Sequence, residues 1–126
     1  MDMEFELVEA IKRIQERDNR FHEDAYRHVL RSLEGIYVYT RQFRHVSAKE
    51  LAAAVCLCAR GMYGPMAFTF LGDWGIQSTD DIGAIVFHLI DEGILSKQEE
   101  ERPEDFENLF GLKEVLEDPY FRNNLP

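Results

Sequence analysis

Apolar residues recur every three or four positions over most of the chain, which is the spacing of one face of an α-helix. In residues 3–17 the repeat is carried by Leu7, Ile11 and Ile14. Acids precede this repeat and bases follow it, as the helix dipole favours. A longer repeat over residues 23–43 forms one continuous apolar stripe. The pattern predicts an amphipathic first helix and a long second helix that lies in the core.

The start of the third helix carries the most specific local motif in the chain. Ser47 is followed three residues later by Glu50, the spacing at which each side chain can bind the backbone N–H group of the other residue. The motif predicts a helix that begins at Ser47, and Gly61 and Gly64 are both candidate stops. The inner apolar stripe of this helix is expected to be Leu51, Val55, Cys58 and Met62.

Two more helices are predicted before residue 95. Pro65 suits the first turn of a short helix that runs to about Trp74. Ser78 or Thr79 then caps a further apolar helix, and Gly93 stands where a left-handed residue would end it.

The last third of the chain is predicted to contain β-structure. Residues 94–98 and 105–110 flank a charged turn and are expected to pair as two short strands, and residues 112–117 form a last short helix. Helices followed by a two-stranded ribbon are typical of a winged-helix unit. The predicted fold is mainly α, with a helical N-terminal extension packed on a winged-helix-like unit that has a small two-stranded β-ribbon. The alternative is a plain helical domain that carries a hairpin.

The length of 126 residues is that of one typical domain. We therefore expect a single domain over residues 1–126. Within it, the N-terminal helices occupy 1–45, the winged-helix-like unit 46–110 and a C-terminal tail 111–126.

The net charge of −10 lies entirely in the second half of the chain. Residues 1–64 carry ten Lys and Arg against ten Asp and Glu, whereas residues 65–126 carry four against fourteen. The helix that would enter a DNA groove, TDDIGAIVFHLIDEG, has four acids and no Lys or Arg. Because phosphate contacts dominate affinity for nucleic acid, this charge argues against DNA or RNA as the partner.

The sequence carries no pattern of a membrane, catalytic, metal or cofactor site. The apolar runs are shorter than the roughly 20 residues of a membrane span, and the N-terminus is acidic where a signal peptide is basic, so we expect a cytoplasmic protein. The four histidines include no pair four residues apart, so no metal is predicted and each is expected at the surface or its boundary. Cys56 and Cys58 point to different sides of a helix and are expected to be buried thiols. We expect no cofactor and no enzyme activity.

Several residues are candidates for contact with a protein partner. Arginines of the second helix cluster around Val38, with Tyr39 on another flank, and Arg and aromatic side chains are enriched at interfaces. The single tryptophan is predicted to be a core plug between helices, and the alternative is an exposed anchor for a partner. Acids of the fifth helix could meet a basic partner. The candidates are Arg27, Arg31, Val38, Tyr39, Arg41, Trp74, Asp80, Asp81 and Asp91.

A series of short motifs stands in order along the chain. They are Tyr63-Gly64-Pro65-Met66-Ala67, Trp74-Gly75-Ile76, Ser78-Thr79, Asp81, Gly83, Ile85-Val86-Phe87, Gly93, Leu95 and Asp105-Phe106, preceded by Ala25-Tyr26, Val29-Leu30 and Arg44-His45-Val46. The series resembles a family of short bacterial proteins of unknown function, over about residues 20–110. Ile82 and Ala84 stand where that family usually has an aromatic residue and an acid. The resemblance implies a bacterial, cytoplasmic, single-domain protein and supplies no activity or catalytic residue.

Together these observations favour a non-enzymatic protein-interaction module whose acidic face meets a basic protein, or which self-associates. One alternative is a regulator that binds nucleic acid through basic residues of the second helix. The other is an enzyme whose carboxylate site forms only on folding.

Overall fold

Six α-helices follow one another in the described part of the chain, which in this computed structural model comprises residues 3–40, 46–96 and 102–117. Two 3₁₀ turns, Gly64–Met66 and Pro103–Phe106, connect some of them. The helices are α1 (Met3–Arg17), α2 (Glu23–Thr40), α3 (Ala48–Tyr63), α4 (Ala67–Asp73), α5 (Thr79–Asp91) and α6 (Leu112–Glu117).

Side chains cap the N-termini of α3 and α5 at the positions that the sequence predicted. Ser47 Oγ accepts the Glu50 N–H at 3.1 Å, and the Glu50 carboxylate accepts the Ser47 N–H at 3.2 Å. At the start of α5, the Asp81 carboxylate accepts the N–H groups of Gln77 and Ser78 at 2.8 and 3.2 Å. Both starts are therefore confirmed, and in each an acid of the first turn binds N–H groups that a helix leaves unpaired.

Helix α3 lies at the centre of the core, in contact with α2, α4, α5 and α6. Its buried face is broader than the predicted stripe, because neighbours cover it on several sides. Small side chains at Ala52, Cys56 and Ala59 let those neighbours approach closely, and all three are fully buried. The predicted stripe is wrong at its far end: Cys58 is only partly buried and Met62 is 47% exposed.

The predicted β-ribbon is wrong. The described residues contain no β-strand. The predicted winged-helix-like unit and the alternative, a helical domain with a hairpin, are therefore both wrong for these residues. Ile94 and Leu95 instead close the end of α5, where both N–H groups donate to the Leu89 carbonyl, at 2.9 and 3.3 Å. The second expected strand is replaced by the 3₁₀ turn Pro103–Phe106 and the turn after it. Residues 97 and 98 of the first expected strand lie outside the described residues.

Side chains of α5 take the place of a partner strand. Thr79 Oγ1 donates to the Phe106 carbonyl at 2.6 Å and accepts the Leu109 N–H at 3.2 Å. Asp80 Oδ1 accepts the Asn108 N–H at 3.1 Å. These side chains satisfy backbone groups that a strand would otherwise pair, and of this segment Phe106 is buried.

One stretch, residues 48–73, is long and apolar enough to cross a membrane by length and composition alone, contrary to the expectation that no run would be. The helix is interrupted within it at Gly64, where φ is +54°. Helix α3 has 16 residues and so spans about 24 Å, less than the roughly 30 Å of bilayer hydrocarbon. Leu51, Val55 and Cys56 are buried inside the protein, whereas Met62, Met66 and Phe70 of the same stretch are exposed.

Gly83 on α5 is predicted to be essential for the contact with the second 3₁₀ turn. A Cβ at this position would lie 2.8 Å from the Phe106 Cβ and 3.0 Å from its ring. Gly83→Ala should therefore lower the free energy of unfolding by about 1–3 kcal/mol, the usual cost of overpacking. Urea unfolding followed by circular dichroism measures this change.

Gly61→Ala is the matched control. Gly61 also lies inside a helix, but a Cβ there has nothing within 4 Å. This variant should be neutral or stabilising by about 0.5–1 kcal/mol, because alanine is the better helix former. Equal effects of the two substitutions would contradict the proposed contact.

Candidate functional site

Three of the residues predicted to contact a partner are used inside the molecule. Asp80 and Asp81 bind backbone N–H groups, as described above. Arg27 forms ion pairs with Glu4 and, at 3.5 Å, with Glu23. These charges connect elements of the fold and are less available to a partner than their sequence positions suggest.

The remaining described candidates of α2 and α5 are exposed at the ends of their helices. Val38 and Tyr39 are 76% and 90% exposed at the end of α2. Asp91 is exposed at the end of α5. Arg41 lies outside the described residues. No hydrogen bond, ion pair or ring contact among the described residues joins Val38 or Tyr39 to Asp91.

Arg31 and Trp74, by contrast, are connected through residues that the sequence did not suggest as partner contacts. The Tyr63 ring centroid lies 5.7 Å from that of Trp74 and 4.9 Å from that of Phe70. On the other side, Arg31 Nη1 lies 3.5 Å from Met62 Sδ. Residues from α2, the end of α3 and α4 thus form one continuous surface.

This surface is named the aromatic patch, and much of it is open to solvent. Met62, Met66 and Phe70 are 47%, 49% and 36% exposed, and Met66 stands one helical turn before Phe70. Tyr63 and Trp74 are partly buried. Trp74 is therefore neither the fully buried plug nor the fully exposed anchor that the sequence left as alternatives. The patch consists of Arg31, Met62, Tyr63, Met66, Phe70 and Trp74.

The break after α3 creates the patch. Gly64 adopts a left-handed φ of +54°, which other residues rarely adopt, and Pro65 starts the 3₁₀ turn that leads into α4. Helix α4 then buries Ala67 and Leu71 against the core. That orientation leaves Phe70 on the outside, beside Tyr63.

His28 lies directly below the patch, and its burial contradicts the expectation that every histidine is near the surface. It is only 1% exposed, and its ring centroid lies 5.7 Å from that of Trp74. Nε2 lies 2.9 Å from the Val55 carbonyl, so Nε2 carries the proton that is donated there. Nδ1 has no partner among the described groups. Burial, with a smaller contribution from Arg31, lowers the pKa of His28 and keeps the ring neutral.

A chain of polar side chains joins three other elements. The Tyr26 hydroxyl lies 2.9 Å from His88 Nδ1, and His88 Nε2 lies 3.2 Å from the Asp18 carboxylate. Arg20 in turn donates to Asp18 at 2.9 to 3.1 Å. A neutral His88 with its proton on Nε2 satisfies both contacts at once, since Nδ1 can then accept the tyrosine proton. The chain connects the loop after α1 to α2 and α5.

The order of carboxylate, imidazole and hydroxyl resembles a catalytic triad, but its hydroxyl is not placed for attack on a substrate. Tyr26 is completely buried. Burial raises the pKa of Tyr26 to about 12, so the phenol is protonated at neutral pH. A nucleophile must reach its substrate, and this one is enclosed by the core. The geometry fits a structural connection.

Two further chemistries find little support in the described residues. Burial raises the pKa of the Cys56 thiol to about 12, so it is not a reactive thiolate there. Within residues 3–40, 46–96 and 102–117, no three His, Cys, Asp or Glu side chains lie close enough together to hold a metal ion.

Comparison of the chain with protein-family models, with curated proteins and with solved structures gave no match. The resemblance to short bacterial proteins stays a prediction. Any statement about function therefore depends on the residues themselves.

Acidification should destabilise the protein through the buried His28 and the partly buried His88. Burial lowers the pKa of His88 from its ordinary 6.5, and the nearby Asp18 carboxylate only partly opposes this effect. Below pH 6.5 the unfolded chain therefore takes up more protons than the folded one, and the free energy of unfolding falls. Urea unfolding between about pH 7.5 and 5.5 should show this decline, above the range in which the carboxylates titrate.

His88→Gln should make the decline shallower, because only His28 then contributes a buried imidazole. The exposed His22→Gln variant is the control for removal of a histidine from the surface. An unchanged slope in His88→Gln would contradict a partly buried, neutral His88.

Proposed function

We propose that the protein is a protein-interaction module that binds its partner through the aromatic patch. The observation that carries this proposal is the exposure of Met62, Met66 and Phe70 in the segment whose Tyr63 ring packs against Phe70 and Trp74. Exposed apolar side chains that stand singly are common, but a contiguous group of them is typical of a binding surface.

The composition of the patch is that of an interface centre. Trp, Tyr and Arg are the residue types most enriched among binding hot spots, and Met is enriched at interfaces as well. Methionine side chains adapt their shape at little cost, which suits a surface that must fit a partner. The partly buried Trp74 and Tyr63 are held by their neighbours, so they lose little conformational freedom on binding.

The shape of the patch favours a protein as the partner. No patch residue lines either of two cavities, of about 650 and 610 Å³, in the described residues. Outside a cavity a small molecule gains little burial, whereas a protein partner can cover exposed side chains.

The acidic half of the chain contributes less to this proposal than its charge suggests. Asp80 and Asp81 bind backbone groups, and the Glu92 carboxylate binds Arg13 and Arg17, each at 2.7 Å. Apolar contact at the patch is therefore the main source of affinity that we propose. The partner is a different protein or a second copy of this chain.

Replacing the outer patch residues should abolish partner binding and leave the fold intact. Affinity capture from the native host and sedimentation velocity identify a different protein or a second copy as the partner. Calorimetry with the purified partner should then show that Met66→Ser with Phe70→Ser weakens binding at least about tenfold, the effect of losing a hot spot. Binding should persist at about 0.5 M salt, since apolar contacts are not screened.

Val38→Ser with Tyr39→Ser is the matched control, because it also removes two exposed apolar side chains. It should leave the affinity unchanged. Loss of binding in this variant alone would place the interface at the end of α2. Loss of binding at high salt would favour the acidic face, and the absence of both partner and self-association would overturn the proposal.

A further inference from the structure

An apolar groove of about 650 Å³ lies on a different part of the molecule from the aromatic patch. It is bordered by the C-terminal half of α2, the start of α3, the end of α5 and the second 3₁₀ turn. Its volume lies within the roughly 300–1,000 Å³ that is usual for small-molecule sites. The apolar lining includes Leu33, Leu51, Val86, Ile90, Phe106 and Leu109.

Two basic side chains, Lys49 and Arg102, also line the groove. Both are exposed, and neither forms an ion pair with a described residue. Asp105 is the one acid among the described lining residues, and its carboxylate already accepts the Arg102 backbone N–H at 3.1 Å. Elsewhere the described arginines are largely paired, as Arg13, Arg17 and Arg27 show.

An apolar lining with unpaired cations at the rim is complementary to a ligand that has a hydrocarbon part and a negative head group. We propose that the groove binds a small apolar carboxylate, whose hydrocarbon part covers the lining and whose carboxylate pairs with Lys49 and Arg102. Burial of the chain supplies most of the affinity, because each methylene removed from water contributes. The two cations supply the preference for a negative head group over a neutral or positive one. This site is independent of the proposed protein-interaction surface.

Decanoate, decanol and decyltrimethylammonium are suitable probes, since they share one hydrocarbon chain and differ in head-group charge. Each is titrated below its micelle concentration into the ¹⁵N- and methyl-labelled protein, and chemical shifts are followed by NMR. Decanoate should bind most tightly and shift the methyl signals of Leu51, Val86 and Ile90. Lys49→Gln with Arg102→Gln should weaken decanoate binding at least roughly fivefold, as expected for two exposed ion pairs, and leave decanol binding unchanged.

Lys12→Gln with Lys113→Gln is the matched control, because it removes two exposed lysines that do not line the groove. It should leave decanoate affinity unchanged. Ala48→Phe, which fills the groove from the start of α3, should abolish binding of every probe, and its unfolding midpoint shows that it is folded. Absence of binding, equal affinity for the three head groups, or equal effects of the two charge variants would each overturn the proposal.

Discussion

The burial of α3 on several sides is the constraint on which the rest of the structure depends. The small Ala52, Cys56 and Ala59 allow α2, α4, α5 and α6 to pack around one helix without a sheet to support them. The two ends of that helix then emerge at different surfaces. Its first turn, with Ala48 and Lys49, borders the apolar groove, and its last turn, with Met62 and Tyr63, forms part of the aromatic patch. Both candidate sites are therefore consequences of where one core helix begins and ends.

Local chemistry made the helix starts predictable from the sequence, whereas contacts between distant residues made the β-ribbon prediction wrong. The capping pairs at Ser47 and Asp81 involve residues three or four positions apart, so the sequence shows them directly. The backbone conformation of residues 105–109, by contrast, depends on hydrogen bonds with Thr79 and Asp80, almost thirty positions earlier. A short strand and a 3₁₀ segment whose backbone is hydrogen-bonded by side chains have similar sequences. Both contain turn residues and scattered apolar positions. Only the tertiary contact distinguishes them.

The candidate sites were partly predictable for a similar reason. Residue type alone singled out Arg31 and Trp74, but helical periodicity placed Met62 on the inner face of α3. That prediction extended one stripe to the end of the helix, although Met62, two residues before the break at Gly64, is exposed. A glycine followed by a proline is visible in the sequence and indicates a break in the helix. At such a break an apolar side chain can leave the core. The burial of His28 could not be predicted from the sequence around it. It follows from contact with the rings of Tyr63 and Trp74, which are distant in the chain.

The distribution of charge and the distribution of contacts have to be considered separately in this protein. The excess of acids in residues 65–126 suggests a surface for a basic partner, yet Asp80, Asp81 and Glu92 hold the fold together. Net charge acts at long range, where salt screens it over about 8 Å, and chiefly affects solubility and the rate of encounter. Recognition depends instead on the few groups left unpaired next to apolar surface. The two surfaces that we propose for recognition in the described residues are the aromatic patch and the groove with Lys49 and Arg102 at its rim, and neither depends on the acids that dominate the composition.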